Sequence, residues 1–426
     1  MSTVHPADEY QTSFEDFRRP VDRTAAPKLL EDPDFPEIWC PVLSVDDHAL
    51  EPPDLFSRRV PHALAGAAPR VEEDDKGAFW VIERWRVPIT TIDGAAGRPR
   101  AQWTMAPAHL SELRRGVWDP KARVADLRKA GVYGSVSFPS TVFGFVGRAF
   151  FGLSDASLGH ACIQAWNDWM IDEWCAADPG CFVPCQLAWL PDPEQAADEI
   201  RANADRGFRA LSFSENPEAI GLPSIHTRHW DPLFRACEET GTVINLHVGS
   251  SSQVTKPSTD SPRDVTLALF PNNSIVASVD WLFSKIPIRF PGLQIVFSEG
   301  GASWVPTVLE RLRRTYRQID VPGGNWTHQD GDPVEVFLRN FSFASLEDPS
   351  AFQQLSTIGA DNIMVEADFP HTDSSWPDTQ ALIRSQTEHL TAEQVRQACF
   401  GNAARLYRHR LPTQAELAAS VIGVQP

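Results

Sequence analysis

The stretch "DPKARVADLRKAGVYGSVSF", residues 119–138, decides the architecture. Its first half has an Asp-Pro start, apolar residues at helical spacing and a Gly stop, so it predicts a capped helix. Its second half alternates and is rich in Val, Tyr and Phe, as a strand should be. The same unit recurs down the chain. Helical "LGHACIQAWNDWMIDEWCAADPG" precedes "CFVPCQLAWLP", and "DPEQAADEIRANADRG" precedes "FRALSFSEN". "WDPLFRACEETG" precedes "TVINLHVGS", "SIVASVDWLFSKI" precedes "LQIVFSEGG", and "ASWVPTVLERLRRTYRQI" precedes "NFSFASLED". "PSAFQQLSTIG" precedes "NIMVEADFPH", and "VLSVDDH" stands at the front. Eight strands with helices between them predict an α/β fold of the (β/α)8 TIM-barrel type, with an open doubly wound sheet as the competing architecture.

Outside that pattern, residues 1–40 are rich in Pro, Asp and Arg and read as an extended arm, with Phe14, Phe17, Phe35 and Trp39 available to pack on a neighbour. The barrel is expected over 41–410, with an insertion at about 57–118 after the first strand and a tail at 411–426. Within the insertion, "FWVIERWRVPIT" alternates as a β-ribbon does.

The 426 residues carry 38 Lys and Arg against 56 Asp and Glu, a formal charge of −18 spread along the chain. That field repels phosphate backbones and anionic lipid surfaces, so neither nucleic acid nor membrane is expected as a partner. The sequence has no apolar run of about 18 residues and no signal-peptide pattern at its start, and the expected location is the cytoplasm. Seven cysteines, an odd number, argue against a disulfide framework, and Cys181 and Cys185 are read as core.

The chemistry gathers at the strand ends. In a barrel of this type the C-terminal strand ends form the active face. The first strand ends Asp46-Asp47-His48, and alternation puts Asp46 and His48 on one face with Asp47 on the other. His247 ends the fifth strand, Glu299 the sixth, and Asp368 the eighth, followed closely by His371. Any one of these alone reads as a hydrogen-bonded core residue. Several carboxylates and imidazoles converging at one dry mouth would be costly without a partner, and a divalent cation is the partner whose ligands these are.

The segments "SVDDHALEPPDLF", "GLPSIHTRHWDPLF", "NLHVGSSS" and "MVEADFPHTDSSWPDT" resemble the amidohydrolase-2 family, relatives of aminocarboxymuconate-semialdehyde decarboxylase. The resemblance spans roughly residues 42–410. It implies a metal held by Asp46, His48, His247 and Asp368; zinc is the expected ion, with manganese the alternative. Many members carry H-x-H on the first strand and His after the sixth. Here Asp46 and Glu299 stand in those places and make the site more anionic.

The expected reaction is hydrolysis of an amide-like C–N bond by a metal-activated water. Asp368 would serve as base, with Glu299 or His371 orienting it. Peptide-tailoring members such as the bottromycin-type amidohydrolase suggest a modified peptide in natural-product biosynthesis as substrate. Non-oxidative decarboxylation of an aromatic or unsaturated acid is the alternative that the resemblance equally permits, and a non-catalytic binding barrel is a third reading. His226 and Arg228, in "SIHTRHW" after the fourth strand, are the candidate substrate-binding residues, with helix-start capping as the competing role for the histidine. Trp230, Trp304, Trp326 and Trp376 fall near loops of the active face, where one or two could wall an organic substrate. The polar run "GSSSQVTKPSTDSP" is a candidate lid. A small-molecule or peptide-derived substrate and a homo-oligomer complete the expectation.

Overall fold

A computed structural model describes residues 29–319 and 322–424. Its strands, in chain order, are β1 (Val42–His48), β2 (Arg70–Asp74), β3 (Gly77–Ile82), β4 (Trp85–Pro88), β5 (Val132–Phe138), β6 (Phe182–Val183), β7 (Cys185–Gln186), β8 (Ala210–Phe213), β9 (Val243–His247), β10 (Ile295–Ser298), β11 (Phe341–Ser345) and β12 (Ile363–Val365). Two parallel ladders run β1-β5-β6 and β7-β8-β9-β10-β11-β12. Pro184 lies between β6 and β7. Without an N–H it breaks the third stave, while its carbonyl still accepts from Arg209 N at 3.0 Å. "CFVPCQLAWLP" is therefore one stave of the barrel in two pieces. Closure comes at the other seam, where Asp368 N donates to Asp46 O and His48 N to Phe369 O, both at 2.8 Å. The parallel sheet thus returns to β1 as a barrel.

The helices form as their capping residues dictate. Asp119 accepts from Lys121 N and Ala122 N at the start of Pro120–Lys129. Asp192 does the same for Pro193–Arg206, which ends at Gly207 in a left-handed conformation (φ 111°). The insertion folds as the antiparallel ribbon β2-β3-β4. "FWVIERWRVPIT" supplies most of β3 and all of β4 and turns between them, where Glu83 has φ 51°. All seven cysteines are buried and unpaired by disulfide.

Residues 1–28 of the expected arm, with Phe14 and Phe17, lie outside the described residues. The described remainder packs on the barrel. The Phe35 ring meets Trp376 at 5.9 Å, and Trp39 Nε1 donates to Thr387 Oγ1 at 3.1 Å. The tail returns to the same place through Val421 N to Ile38 O at 2.9 Å. No helix among the described residues is long and apolar enough to cross a membrane.

Candidate metal centre

Strand alternation places Asp46 and His48 together at the mouth. Asp47, facing the other way, accepts from Ser135 Oγ at 2.5 Å and Phe369 N at 2.7 Å. Two backbone carbonyls then fix the imidazoles. His48 Nδ1 faces Pro139 O at 3.3 Å, and His247 Nδ1 faces Val248 O at 2.6 Å. A carbonyl only accepts, so each Nδ1 carries the proton and each Nε2 presents a lone pair. Those two Nε2 atoms lie 3.1 Å apart. Asp46 Oδ1 is 3.3 Å from His48 Nε2, and Asp46 Oδ2 is 3.5 Å from His247 Nε2. Asp368 Oδ1 stands 3.4 Å from His48 Nε2, and Glu299 Oε2 stands 3.5 Å from His247 Nε2. Two imidazole nitrogens and three carboxyl groups thus converge on one small volume.

Burial makes this costly. Asp46 and Asp368 are fully buried, and apart from the approach of His371 to Asp368 the four carboxyl oxygens lack a hydrogen-bond partner among the described residues. Burial drives the Asp46 carboxyl well above the usual carboxylate range, and the charges of Glu366 and Asp368 push the same way. Glu299 is likewise raised, by burial and then by Asp368 and Asp373. Burial holds the His247 imidazole down to about 3 and takes His48 well below its ordinary value. Imidazole lone pairs that burial keeps unprotonated, beside carboxylates that burial penalises as bare charges, are satisfied together by a cation, and carboxylate oxygen with imidazole nitrogen is the donor set a divalent transition metal takes. Asp46, His48 and His247 form one compact group of candidate ligands, and His48, Asp368 and His371 a second that shares His48.

The backbone is bent to hold this arrangement. Glu299 and Asp368 both adopt the left-handed region, at φ 64° and 50°. Non-glycine residues enter it at a cost that active sites commonly carry. Glu299 N donates to Glu366 Oε2 at 3.1 Å, which ties the sixth strand end to the eighth. Below the cluster, Arg123 is fully buried and donates to His48 O at 2.5 Å and Gly116 O at 2.6 Å.

His371 joins the centre through its Nδ1, 3.1 Å from Asp368 Oδ1, and its ring stacks on His48 at a centroid distance of 3.7 Å. Its Nε2 is buried without a partner among the described residues. Burial alone would lower the His371 pKa, but the Asp368 carboxylate outweighs it and raises it.

Other expected residues are placed elsewhere. His226 Nε2 pairs with Asp280 Oδ1 at 2.7 Å, both about half exposed. The Arg228 side chain is 77% exposed and pairs with Asp231 at the start of the Asp231–Thr240 helix. Among the described residues, no contact brings either to the cluster. Trp230, Trp304, Trp326 and Trp376 are packing residues, buried against Phe213, Phe343, Phe283 and Phe369 respectively. The candidate lid is fastened at its start, where Ser251 Oγ donates to Glu215 Oε1 at 2.5 Å and Asn273 Nδ2 donates to Gln253 O at 2.7 Å. Sequence reasoning passed over Arg123 and Phe145, and it saw Glu366 in the polar end of the last strand without giving it a role. Only Glu366 left a signal, since it directly follows the last strand and precedes Asp368 by two residues.

Residues 79–409 match the family model described as Amidohydrolase. The chain belongs to this amidohydrolase family. The matched span begins after β1, so Asp46 and His48 rest on the geometry above. No curated protein matches the sequence. Among solved structures, an amidohydrolase from Mycobacterium avium subsp. paratuberculosis superposes with a TM-score of 0.67 at 19% identity, over 86% of this chain and 99% of that one. The 5-carboxyvanillate decarboxylase of Sphingomonas paucimobilis gives 0.60 at 19% identity, over 87% and 99%. A dihydroxybenzoic acid decarboxylase from Polaromonas sp., with bound manganese and the inhibitor 2-nitroresorcinol, gives 0.59 at 16%, over 87% and 97%. The barrel expected from the alternation is the fold these relatives share.

Proposed function

We propose that this family member is a metal-dependent, non-oxidative decarboxylase of an aromatic or unsaturated carboxylic acid. Asp46, His48, His247 and Asp368 would hold the cation, with Glu299 at its edge. A divalent ion bound there supplies Lewis acidity towards a substrate carboxylate and a neighbouring hydroxyl. An oxygen-rich donor set suits manganese at least as well as zinc, and the Polaromonas relative binds manganese.

The observation that carries the reading is the buried Asp368–His371 pair, with its contact of 3.1 Å and the unpartnered His371 Nε2. When the bond from ring to carboxyl carbon breaks and CO2 leaves, the substrate carbon needs one proton. A fully buried carboxyl paired to an imidazole holds such a proton and is shielded from solvent. The dry mouth also favours loss of a charged carboxylate as neutral CO2. Two of the solved structures named above are decarboxylases of aromatic acids, and none is described as acting on a peptide. A small aromatic acid therefore stands ahead of the peptide substrate.

Hydrolysis of a C–N bond is the second reading. It is favoured by the position of Arg228, the cation that would grip a substrate carboxylate, which faces solvent. The deciding assay offers metal-loaded protein a panel of hydroxylated benzoates and a panel of aryl amides. CO2 release that chelation abolishes and Mn²⁺ or Zn²⁺ restores is the expected result. Amine release without CO2 overturns it in favour of the hydrolase.

A further inference from the structure

We propose that Phe145 is the specificity-determining residue of this site and selects a flat aromatic ring in the substrate. This rests on the reading of the cluster as a cation site that grips an organic acid, and it names the part of the molecule that the metal does not see.

Five rings pack together at the site, the three imidazoles of His48, His247 and His371 and the phenyl rings of Phe138 and Phe145. Phe145 stacks on His247 at 4.1 Å with an interplanar angle of 28°, lies 5.2 Å from His48, and reaches His371 at 6.4 Å. Phe138 meets His247 from another side at 5.3 Å. Phe138, His48, His247 and His371 are all buried, whereas Phe145 alone of the five is partly exposed. Of the rings against the imidazoles, Phe145 is therefore the one with surface left for a ligand to meet.

The ring is held there against its backbone preference. Phe145 has φ 56°, a conformation in which a bulky residue is an outlier. Gly144 and Gly147 flank it in the same left-handed region at φ 71° and 76°. The Phe145 carbonyl accepts from Ser212 Oγ at 2.6 Å, which pins the loop after β5 to β8. The closest approach to Gly249 comes from Phe145 Cε2, 3.8 Å from where a Cβ would stand. A strained aromatic residue fixed beside the ligands by a neighbouring strand is built for contact, and an aromatic partner in offset or edge geometry gains more from it than an alkyl chain does.

The test uses two probes with one metal-binding head, benzohydroxamate and acetohydroxamate. They are titrated into full-length, metal-loaded parent, Phe145→Ala and Phe145→Leu, with metal content measured in each. The expected result is that both variants bind benzohydroxamate roughly three- to tenfold more weakly than the parent, that acetohydroxamate binding changes less than about twofold, and that metal content is unchanged. Phe145→Leu keeps apolar volume and removes only the ring, so it answers if the alanine variant misfolds. Equal losses for both probes, or no loss for either, overturn the inference. A parent that binds neither probe overturns the cation-site reading and this inference with it. Because the probes report without turnover, a selective benzohydroxamate loss in a protein that releases no CO2 sustains Phe145 and removes only the decarboxylase reading.

Discussion

Replacing Asp368 by Asn should act in opposite directions on the metal-free and metal-loaded protein. The side chain keeps its volume, and the main-chain bond from Asp368 N to Asp46 O stays. The polar side-chain contact at stake is the 3.1 Å approach to His371 Nδ1, because neither carboxylate oxygen has another partner among the described residues. Weakening a contact to a charged group costs about 1.5–3 kcal/mol. Against that, the substitution removes a fully buried carboxylate whose pKa burial has raised, and the effective cost of burying such an ion is on the order of several kcal/mol. Without metal, Asp368→Asn should therefore be no less stable than the parent. With metal the sign reverses, since the amide is a weaker ligand. At a concentration 100-fold above the parental Kd the parent gains about 2.7 kcal/mol, and a variant that binds tenfold more weakly gains only about 1.4 kcal/mol. Thermal melts with and without chelator, alongside elemental analysis, read both quantities. Turnover at full occupancy should fall on the order of 10²- to 10⁴-fold through loss of the proton carrier. A metal-free variant destabilised by more than about 2 kcal/mol would refute the reasoning, because Asp368 would then be a satisfied structural group.

Two further outcomes follow from the same geometry. His247→Ala should leave less than about a tenth of an equivalent of metal where the parent carries close to one, and should also cost roughly 2–4 kcal/mol from the cavity beside Phe145 and Phe138; full metal content per folded molecule would make His247 a core residue. Glu51 and Glu215, buried away from the cluster, are each pushed by burial from 4.5 to about 7, so their stabilising contribution is complete below pH 4.5 and is lost as pH rises to about 7. Glu51→Gln and Glu215→Gln should each flatten that fall, by at most about 3 kcal/mol, and denaturant titrations at pH 5 and 8 that show an unchanged slope would count against it.

The barrel was legible because its signals are local. Asp119 and Asp192 announce helices, Gly207 stops one, and apolar strands follow at regular spacing. The split at Pro184 does not disturb that reading, since a broken stave keeps its place in the order. The gathering of the candidate ligands was legible because strand alternation is geometric: Asp46 and His48 must share a face, and a strand end in a barrel has a known address. His226 and Arg228 had no such register. They lie in a loop, where neighbouring positions in sequence say nothing about direction, and local partners, Asp280 and Asp231, take them. Phe145 was illegible for a stronger reason. Its place depends on a left-handed backbone that Phe disfavours and on a bond to Ser212, 67 positions away, and only the glycines around it hint at the turn.

The charge of the site links these residues to the proposed chemistry. Asp47 is offset by the buried Arg123 guanidinium, which leaves Asp46, Asp368 and Glu299 facing the shared volume. On the proposed reading, three ionised carboxylates around a dication carry one net negative charge, and an incoming carboxylate substrate would raise it to two. In a buried site that is unfavourable unless one of the carboxyls takes a proton. Asp368 is the group placed to do so, because His371 Nδ1 at 3.1 Å supplies the exchange partner. Substrate binding would then load the proton that the carbon requires once CO2 has left. The substitutions of Asp46 and Glu299 for the histidines common in the resembled family sharpen this coupling, since each adds a negative charge where an imidazole adds none. A hydrolase with a neutral amide substrate gains nothing from such an excess. It would have to activate water in a field that already opposes further negative charge, and for that reason the anionic character of this centre fits proton delivery to carbon better than it fits making hydroxide.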